Sequence, residues 1–267
     1  MNAIRSNLHT HTTFSDGKNT PAEMIERAKE LGFVSLGFSD HSETVFDPHY
    51  CMASEKYSLY RRKISELKEK EEKIELFCGL EKDYFSSVSP EDYDYTIGSV
   101  HYLYCGGEYY PMDHSLAFQK KFLEDWGRGD PLELAKRYYD LVAEHAAKSS
   151  FEIQGHFDLI AKFGLYDQPS EEYCRIAIEA LDAVLETVPY VEVNTGAISR
   201  GYRKEPYPDR FLLDHLYQKG AKLILGSDCH RADAMDCHFE ECLSLLKSIG
   251  FSSVWQKRIH GFEIIYI

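Results

Sequence analysis

The chain has 267 residues, 43% of them hydrophobic and 13% aromatic, which is enough to bury a large core, so one domain over 1–267 is expected. A formal net charge of −14 argues against a nucleic-acid partner, because phosphate backbones are held mainly by Lys and Arg; a local cationic pocket would still admit a small anionic substrate. The seven cysteines form no CxxC pair, the N-terminus shows no secretory pattern, and charges or glycine break every apolar run before the ~20 residues of a bilayer span, so a cytoplasmic protein with free thiols and no membrane contact is expected.

In chain order, a first strand around Leu8 runs into His9-Thr10-His11, and a His-x-His at a strand end turns both imidazoles to one face. Asp16 follows in the next loop. Thr20-Pro21-Ala22-Glu23 has the form of a capping box with proline at the first helical position, and Met24, Ala28 and Leu31 continue at helical spacing to Gly32. The apolar run 33–38 is a second strand closing on Asp40-His41, parallel to the first across a β-α-β unit. A helix over about 54–73 buries Tyr57, Ile64 and Leu67, and its 66–73 run is a solvated, ion-paired face. Strand three, 74–78, closes on Gly79-Leu80-Glu81.

A fourth strand near 95–101 ends in Ser99-Val100-His101, followed by a long irregular segment, 101–129, containing Gly106-Gly107; insertions of that length are usually functional. Asp130-Pro131-Leu132-Glu133 caps a helix to about 148, strand five (151–154) runs into Gly155-His156, and an amphipathic helix over 170–187 stops at Pro189. Strand six is 191–194. A helix around 209–219, a seventh strand at 222–226 running into Asp228-Cys229-His230, a helix near 234–248 and a short tail ending at 262–267 complete the chain. There is no repeat, linker or low-complexity tract, and the oligomeric state is not encoded in any recognisable feature.

Twelve histidines make one close pair unremarkable, but a metal-competent side chain at the end of nearly every strand is not a chance pattern. An open doubly wound sheet offers one crevice at its switch point, whereas a barrel gathers the carboxyl ends of all its strands. A seven-stranded α/β barrel with its site at the carboxyl ends is therefore expected. Imidazole and carboxylate without thiolate suit Zn, Mn, Fe or Co alike.

His9-x-His11 with Asp16, then His41, Glu81, His101, His156 and Asp228-x-His230, in that order, resemble the polymerase and histidinol phosphatase (PHP) superfamily. Length, Phe38-Ser39-Asp40-His41, Gly98-Ser99-Val100-His101 and Asn194-Thr195-Gly196 before Arg200 resemble its monofunctional histidinol-phosphate phosphatase branch. The resemblance implies a distorted TIM-like (β/α)7 barrel with two or three divalent metal ions. It groups His9, His11, Glu81 and Asp228 on one ion; Glu81, His101 and His156 on a second, bridged through Glu81; and Asp16, His41 and His230 on a third. Other family members carry His where Asp16 stands, which makes the third site slightly harder.

Cations held close together polarise a phosphoryl oxygen, acidify a bridging water and stabilise the leaving oxygen. Phosphate-ester hydrolysis by a metal-bridging hydroxide, without a covalent enzyme intermediate, is the expected reaction, with Glu81, Asp228 and His230 as the catalytic set. Arg200, in the cationic stretch from Gly196 to Lys204, is the first candidate to clamp the phosphate in bidentate fashion, and Lys162 is the second. Arg203 and Lys204 read as surface cations. His145, His215, His238 and His260 read as structural, Cys229 as facing away from the ligands, and His49 and His114 as loop residues overlooking the site, His114 with Asp113 able to touch a substrate amine or imidazole. The resemblance implies hydrolysis of L-histidinol phosphate in histidine biosynthesis. The alternatives are another small phosphomonoester, a phosphodiester or phosphotyrosine, and a non-catalytic metal-binding module.

Overall fold

The structure, a computed structural model, describes residues 5–267. The chain begins with β1 (Ser6–Asn7), α1 (Pro21–Glu30), β2 (Ser35–Phe38), α2 (Tyr57–Lys68), β3 (Glu75–Asp83) and β4 (Tyr95–Ser99). A hairpin of β5 (Tyr102–Cys105) and β6 (Glu108–Pro111) follows, then α3 (Leu116–Asp125), α4 (Pro131–Lys148) and β7 (Ile153–Gln154). The last third holds α5 (Glu171–Leu185), β8 (Tyr190–Asn194), a single turn α6 (Gly196–Ser199), α7 (Arg210–Lys219), β9 (Lys222–Gly226), α8 (Phe239–Ile249), β10 (Ser253–Arg258) and β11 (Gly261–Tyr266).

The helix starts follow their sequence signals. Thr20 and Glu23 close the capping box reciprocally with Pro21 in the first turn. The side chains of Asp130 and Ser170 accept from backbone amides of α4 and α5, satisfying donors that helix geometry leaves without partners. The second helix ends at Lys68, earlier than its charge pattern suggests, one residue after Leu67, its last apolar residue against the core. The segment after His101 is not irregular. Gly106 and Gly107, at φ +60° and +92°, form the two-residue turn of the β5–β6 hairpin, a conformation that costs other residues strain.

Seven strands, β1, β2, β3, β4, β7, β8 and β9, are hydrogen-bonded in that order and all parallel. The expected seven-stranded barrel nevertheless needs correction. The sheet has nine strands, since β10 joins β9 in parallel and β11 pairs antiparallel with β10. The tail read as a short terminus is thus a hairpin, and β10 occupies the edge of β9 that ring closure would require. The segments that follow β1 and β9 meet instead at one bridge, Thr10 with Cys229, where the His11 amide donates to the Cys229 carbonyl at 2.9 Å. Asn7 Nδ2 reinforces it by donating to Ser227 Oγ at 2.6 Å. This junction lays His9-x-His11 beside Asp228-x-His230.

Most buried apolar residues lie between the sheet and its helices. A smaller cluster of Leu8, Phe77, Tyr95, Ile97, Ile153, Tyr190 and Ile224 fills the sheet's concave side, with Trp255 and Phe262 of the terminal hairpin against it. Tyr95 reaches across this interior to the Leu8 carbonyl. It can do so because Gly37 and Gly79 carry no Cβ; one built there would come within 2.2 Å of the Tyr95 hydroxyl or ring, respectively. The apolar floor closes the concave side beneath the polar residues, which are left at the carboxyl ends.

Candidate metal centre

Glu81 is the hub. β3 continues to Asp83, so Glu81 lies inside the strand and not past its end, with a fully buried side chain. Its Oε1 accepts from Ser99 Oγ at 2.7 Å and lies 2.9 Å from His156 Nε2 and 3.4 Å from His101 Nε2. Its Oε2 lies 2.7 Å from His41 Nδ1, 3.4 Å from His9 Nε2 and 3.6 Å from His11 Nε2. Five imidazoles from four strand ends, His9 and His11 both following β1, thus converge on one carboxylate.

The second anchor is Asp228, at φ +48°. Its Oδ1 lies 3.2 Å from His11 Nε2 and 3.6 Å from His9 Nε2, while Oδ2 accepts from Arg200 Nη2 at 2.8 Å. Arg200 Nη1 also donates to the Asp228 carbonyl at 3.0 Å. Asp16 forms the third corner, its carboxylate 3.2 Å from His230 Nε2 and 3.8 Å from His41 Nε2. Asp40 orders the loop that presents it, accepting from the amides and hydroxyls of Thr12 and Ser15.

Four sets of donor atoms lie within reach of a single ion: His11, Asp16, His41 and His230; His9, His11 and Asp228; His9, Glu81 and His156; His41, Glu81 and His101. All nine residues expected from the sequence are therefore brought together, though His11 joins the Asp16 group and the His101–His156 grouping is divided around Glu81. His11 stacks between His41 and His230, with ring centroids 4.2 Å from each.

The donor set suits divalent cations on an internal observation. His9 Nε2, both nitrogens of His11, Glu81 Oε2 and Asp16 Oδ1 are buried without a hydrogen-bond partner, the contacts around Oε2 being close but not aligned as hydrogen bonds. Each such atom costs about 1–3 kcal/mol, a penalty that coordination removes.

Burial acts against charge on His9, but the carboxylates of Glu192, Glu81 and Asp228 outweigh it and hold its pKa well above the ordinary histidine value. His41 and His101 are raised against burial in the same way, chiefly by Glu81. His11 goes the other way: burial, with His230 and His41 beside it, pushes it down to about 3, so it is a neutral ligand. Glu81 and Asp228 stay well below the carboxylate range despite burial, the first through His41 and His9, the second through Arg200 and His9.

Two carboxylates missed from the sequence orient these imidazoles. Glu192 Oε1 lies 2.7 Å from His9 Nδ1, and its Oε2 accepts from the His156 amide at 3.1 Å and Asn194 Nδ2 at 2.9 Å. Asp83 Oδ2 lies 3.1 Å from His101 Nδ1. Each fixes its partner's tautomer so that Nε2 presents a lone pair inward. Both were detectable: Glu192 is a charge inside the apolar strand 190–194, and Asp83 shares a face with Glu81 at strand period two.

A cleft of about 340 Å³ opens over this cluster and includes Arg200, Lys162 and His114 in its walls, with Lys18, Tyr50 and Asp113. Lys162 is 8% exposed and is no solvated lysine. It donates to the Asp113 carbonyl at 2.7 Å and sits 5.0 Å above the Tyr202 ring, and burial pushes its pKa down. His114 packs edge-on against Tyr102 and Phe118.

His49 is exposed and outside the cleft wall. Lys204 is exposed as expected, but Arg203 is not a surface cation: it turns away from the cleft onto Asp158 and Asp209. His145 and His215 pair with Tyr84 and Phe151 rings and with Asp182, respectively. His238 lies 3.6 Å from Glu241, and His260 is exposed. Cys229 packs in the apolar core. All seven cysteines are free thiols, and no helix among the described residues is long and apolar enough to cross a membrane.

The PHP domain family model matches residues 7–196. A Deinococcus radiodurans protein named probable histidinol-phosphatase is 29% identical, over 92% of this chain and 94% of its own length. The Bacillus subtilis histidinol-phosphatase is 26% identical over 88% of this chain and 97% of its own. A crystal structure of the Lactococcus lactis histidinol phosphate phosphatase, complexed with zinc, L-histidinol and phosphate, superposes with a TM-score of 0.74 at 22% identity, covering 97% of this chain and 98% of that one.

Proposed function

The chain belongs to the PHP domain family, and from that premise we propose that it is a metal-dependent histidinol-phosphatase, hydrolysing L-histidinol phosphate to L-histidinol and orthophosphate as a single domain in the cytoplasm. The observation that carries the reaction class is the convergence of five imidazoles on Glu81 beneath a cleft walled by Arg200 and Lys162. The names of the full-length relatives support the substrate.

Divalent ions bound here would polarise the ester's phosphoryl oxygens and lower the pKa of a water toward neutrality. Three ions are the reading the four donor groups support best, with Glu81 shared between two, and Zn, Mn, Fe and Co all suit the donors. Arg200 spends one N–H of each terminal nitrogen on Asp228 and keeps others for a phosphate oxygen, while Lys162 supplies a second, less hydrated cation across the cleft. Asp113, whose side chain is 25% exposed beside Lys162, supplies the negative wall that a substrate ammonium would seek, with His114 next to it.

The test is orthophosphate release by metal-replete protein, reported as kcat/KM for L-histidinol phosphate beside a generic aryl phosphate. A preference of several hundredfold is expected. Parity would keep the phosphoesterase chemistry and discard this substrate in favour of another phosphomonoester, a diester or phosphotyrosine. No release from either ester would leave a metal-binding module.

A further inference from the structure

The segment between β8 and α7 carries Arg200 at the cleft and, three residues on, a cation that the proposed reaction does not use. Arg203 is 10% exposed. Its Nη2 donates to Asp209 Oδ1, its Nη1 lies 3.8 Å from Asp158 Oδ2, and its guanidinium sits 4.6 Å above the Tyr207 ring. Asp158 is completely buried two residues after His156, and its Oδ2 accepts from the Asp209 amide at 2.9 Å. Tyr207 in turn exchanges backbone hydrogen bonds with Asn194, at 2.8 and 2.9 Å. One guanidinium therefore joins the segment bearing His156 and Lys162 to the segment bearing Arg200.

The same junction reaches both cationic walls of the cleft. Tyr202, the residue before Arg203, lies beneath Lys162 Nζ at 5.0 Å and meets the Phe163 ring edge-on at 5.5 Å. The amides of Tyr202 and Arg203 both donate to the Ala197 carbonyl, at 2.9 and 3.3 Å, folding the turn that aims Arg200 at Asp228. Arg203 thus shares one turn with Tyr202, which lies against Lys162, and with Arg200, which lies against Asp228. We infer that Arg203 is a positioning residue that sets the separation of Arg200 and Lys162 across the cleft, and with it the affinity for a phosphate group. This rests on the reading of those two cations as phosphate contacts. The competing explanation is that Arg203 only offsets the neighbouring carboxyl groups of Asp209 and of Asp158, whose pKa burial pushes up to about 7.

Two variants separate these explanations. Arg203→Met leaves Asp158 buried without its counter-charge and is expected to lower Tm as well as phosphate affinity. The double variant Arg203→Met, Asp158→Asn removes the guanidinium and the buried carboxyl group, keeps the acceptor for the Asp209 amide and leaves only the 20% exposed Asp209 side chain charged, so most of the Tm should recover. Inorganic phosphate is titrated calorimetrically into metal-loaded wild type and both variants, with metal content checked and KM and kcat measured on an aryl phosphate.

If Arg203 positions the two cations, phosphate Kd and KM stay raised by about tenfold in the double variant, of the order seen when outer-sphere partners are lost, with kcat within about twofold and metal content unchanged. A double variant with wild-type Kd would overturn the inference, leaving Arg203 as a counter-charge alone. A wild type that binds no phosphate would overturn the phosphate reading of the cleft, and this inference with it.

Discussion

Replacing Glu192 by Gln removes one negative charge and changes nothing in side-chain size. The Glu192 carboxylate is 2% exposed and meets His9 Nδ1 at 2.7 Å, a charge-assisted contact in a dry setting. Such hydrogen bonds contribute about 1.5–3 kcal/mol, which at about 1.4 kcal/mol per decade is roughly 10–150-fold in an equilibrium constant. The amide has a second effect. If its NH2 turns toward His9, Nδ1 must become the acceptor, the proton moves to Nε2, and the lone pair facing Glu81 and Asp228 is lost.

Glu192→Gln is therefore expected to weaken metal binding about 10–100-fold, measured by competition against a chromogenic chelator, with activity restored at higher free metal. Gly226→Ala provides an independent route to the same state, since a Cβ there would lie 1.9 Å from Glu192 Oε1 and displace it. Wild-type metal affinity in both variants would refute the tautomer argument.

Three further outcomes are expected. Glu81→Ala should lower metal content and activity together, because Glu81 stands in two of the four donor groups; a fully metallated, active variant would show that it bridges nothing. The neighbouring carboxylates raise the proton affinity of His9, His41 and His101, so protons compete with metal there and affinity should climb with pH, seen as a buffer-dependent enthalpy in calorimetry; a buffer-independent enthalpy would contradict it. His145, inside α4 and outside the cleft wall, has its pKa pushed down to about 4 by burial. A depressed histidine contributes no penalty above its unfolded value near 6.5 and destabilises the fold progressively as pH falls from there toward 4. His145→Leu should accordingly flatten the loss of stability to denaturant over that window by up to about 3 kcal/mol, and an unchanged slope would show that His145 takes up its proton without unfolding.

Much of the site was readable without coordinates. Strand periodicity and short spacing placed His9 with His11 and Asp228 with His230, since period two puts alternate residues on one face, and ligands at successive strand ends called for a sheet curled enough to gather them. Capping residues located α1, α4 and α5 for equally local reasons. Tertiary structure decided what depends on contacts distant in sequence. That the sheet has nine strands follows from β10 taking the edge of β9, a choice between edges that no local pattern encodes. The division of His101 and His156 around Glu81, the burial of Lys162, and the turning of Arg203 onto Asp158 each depend on contacts between segments 20 or more residues apart in the chain. Residue type and spacing specify which donors are available on a strand face, whereas only packing decides which of them share an ion, a carboxylate or a cleft.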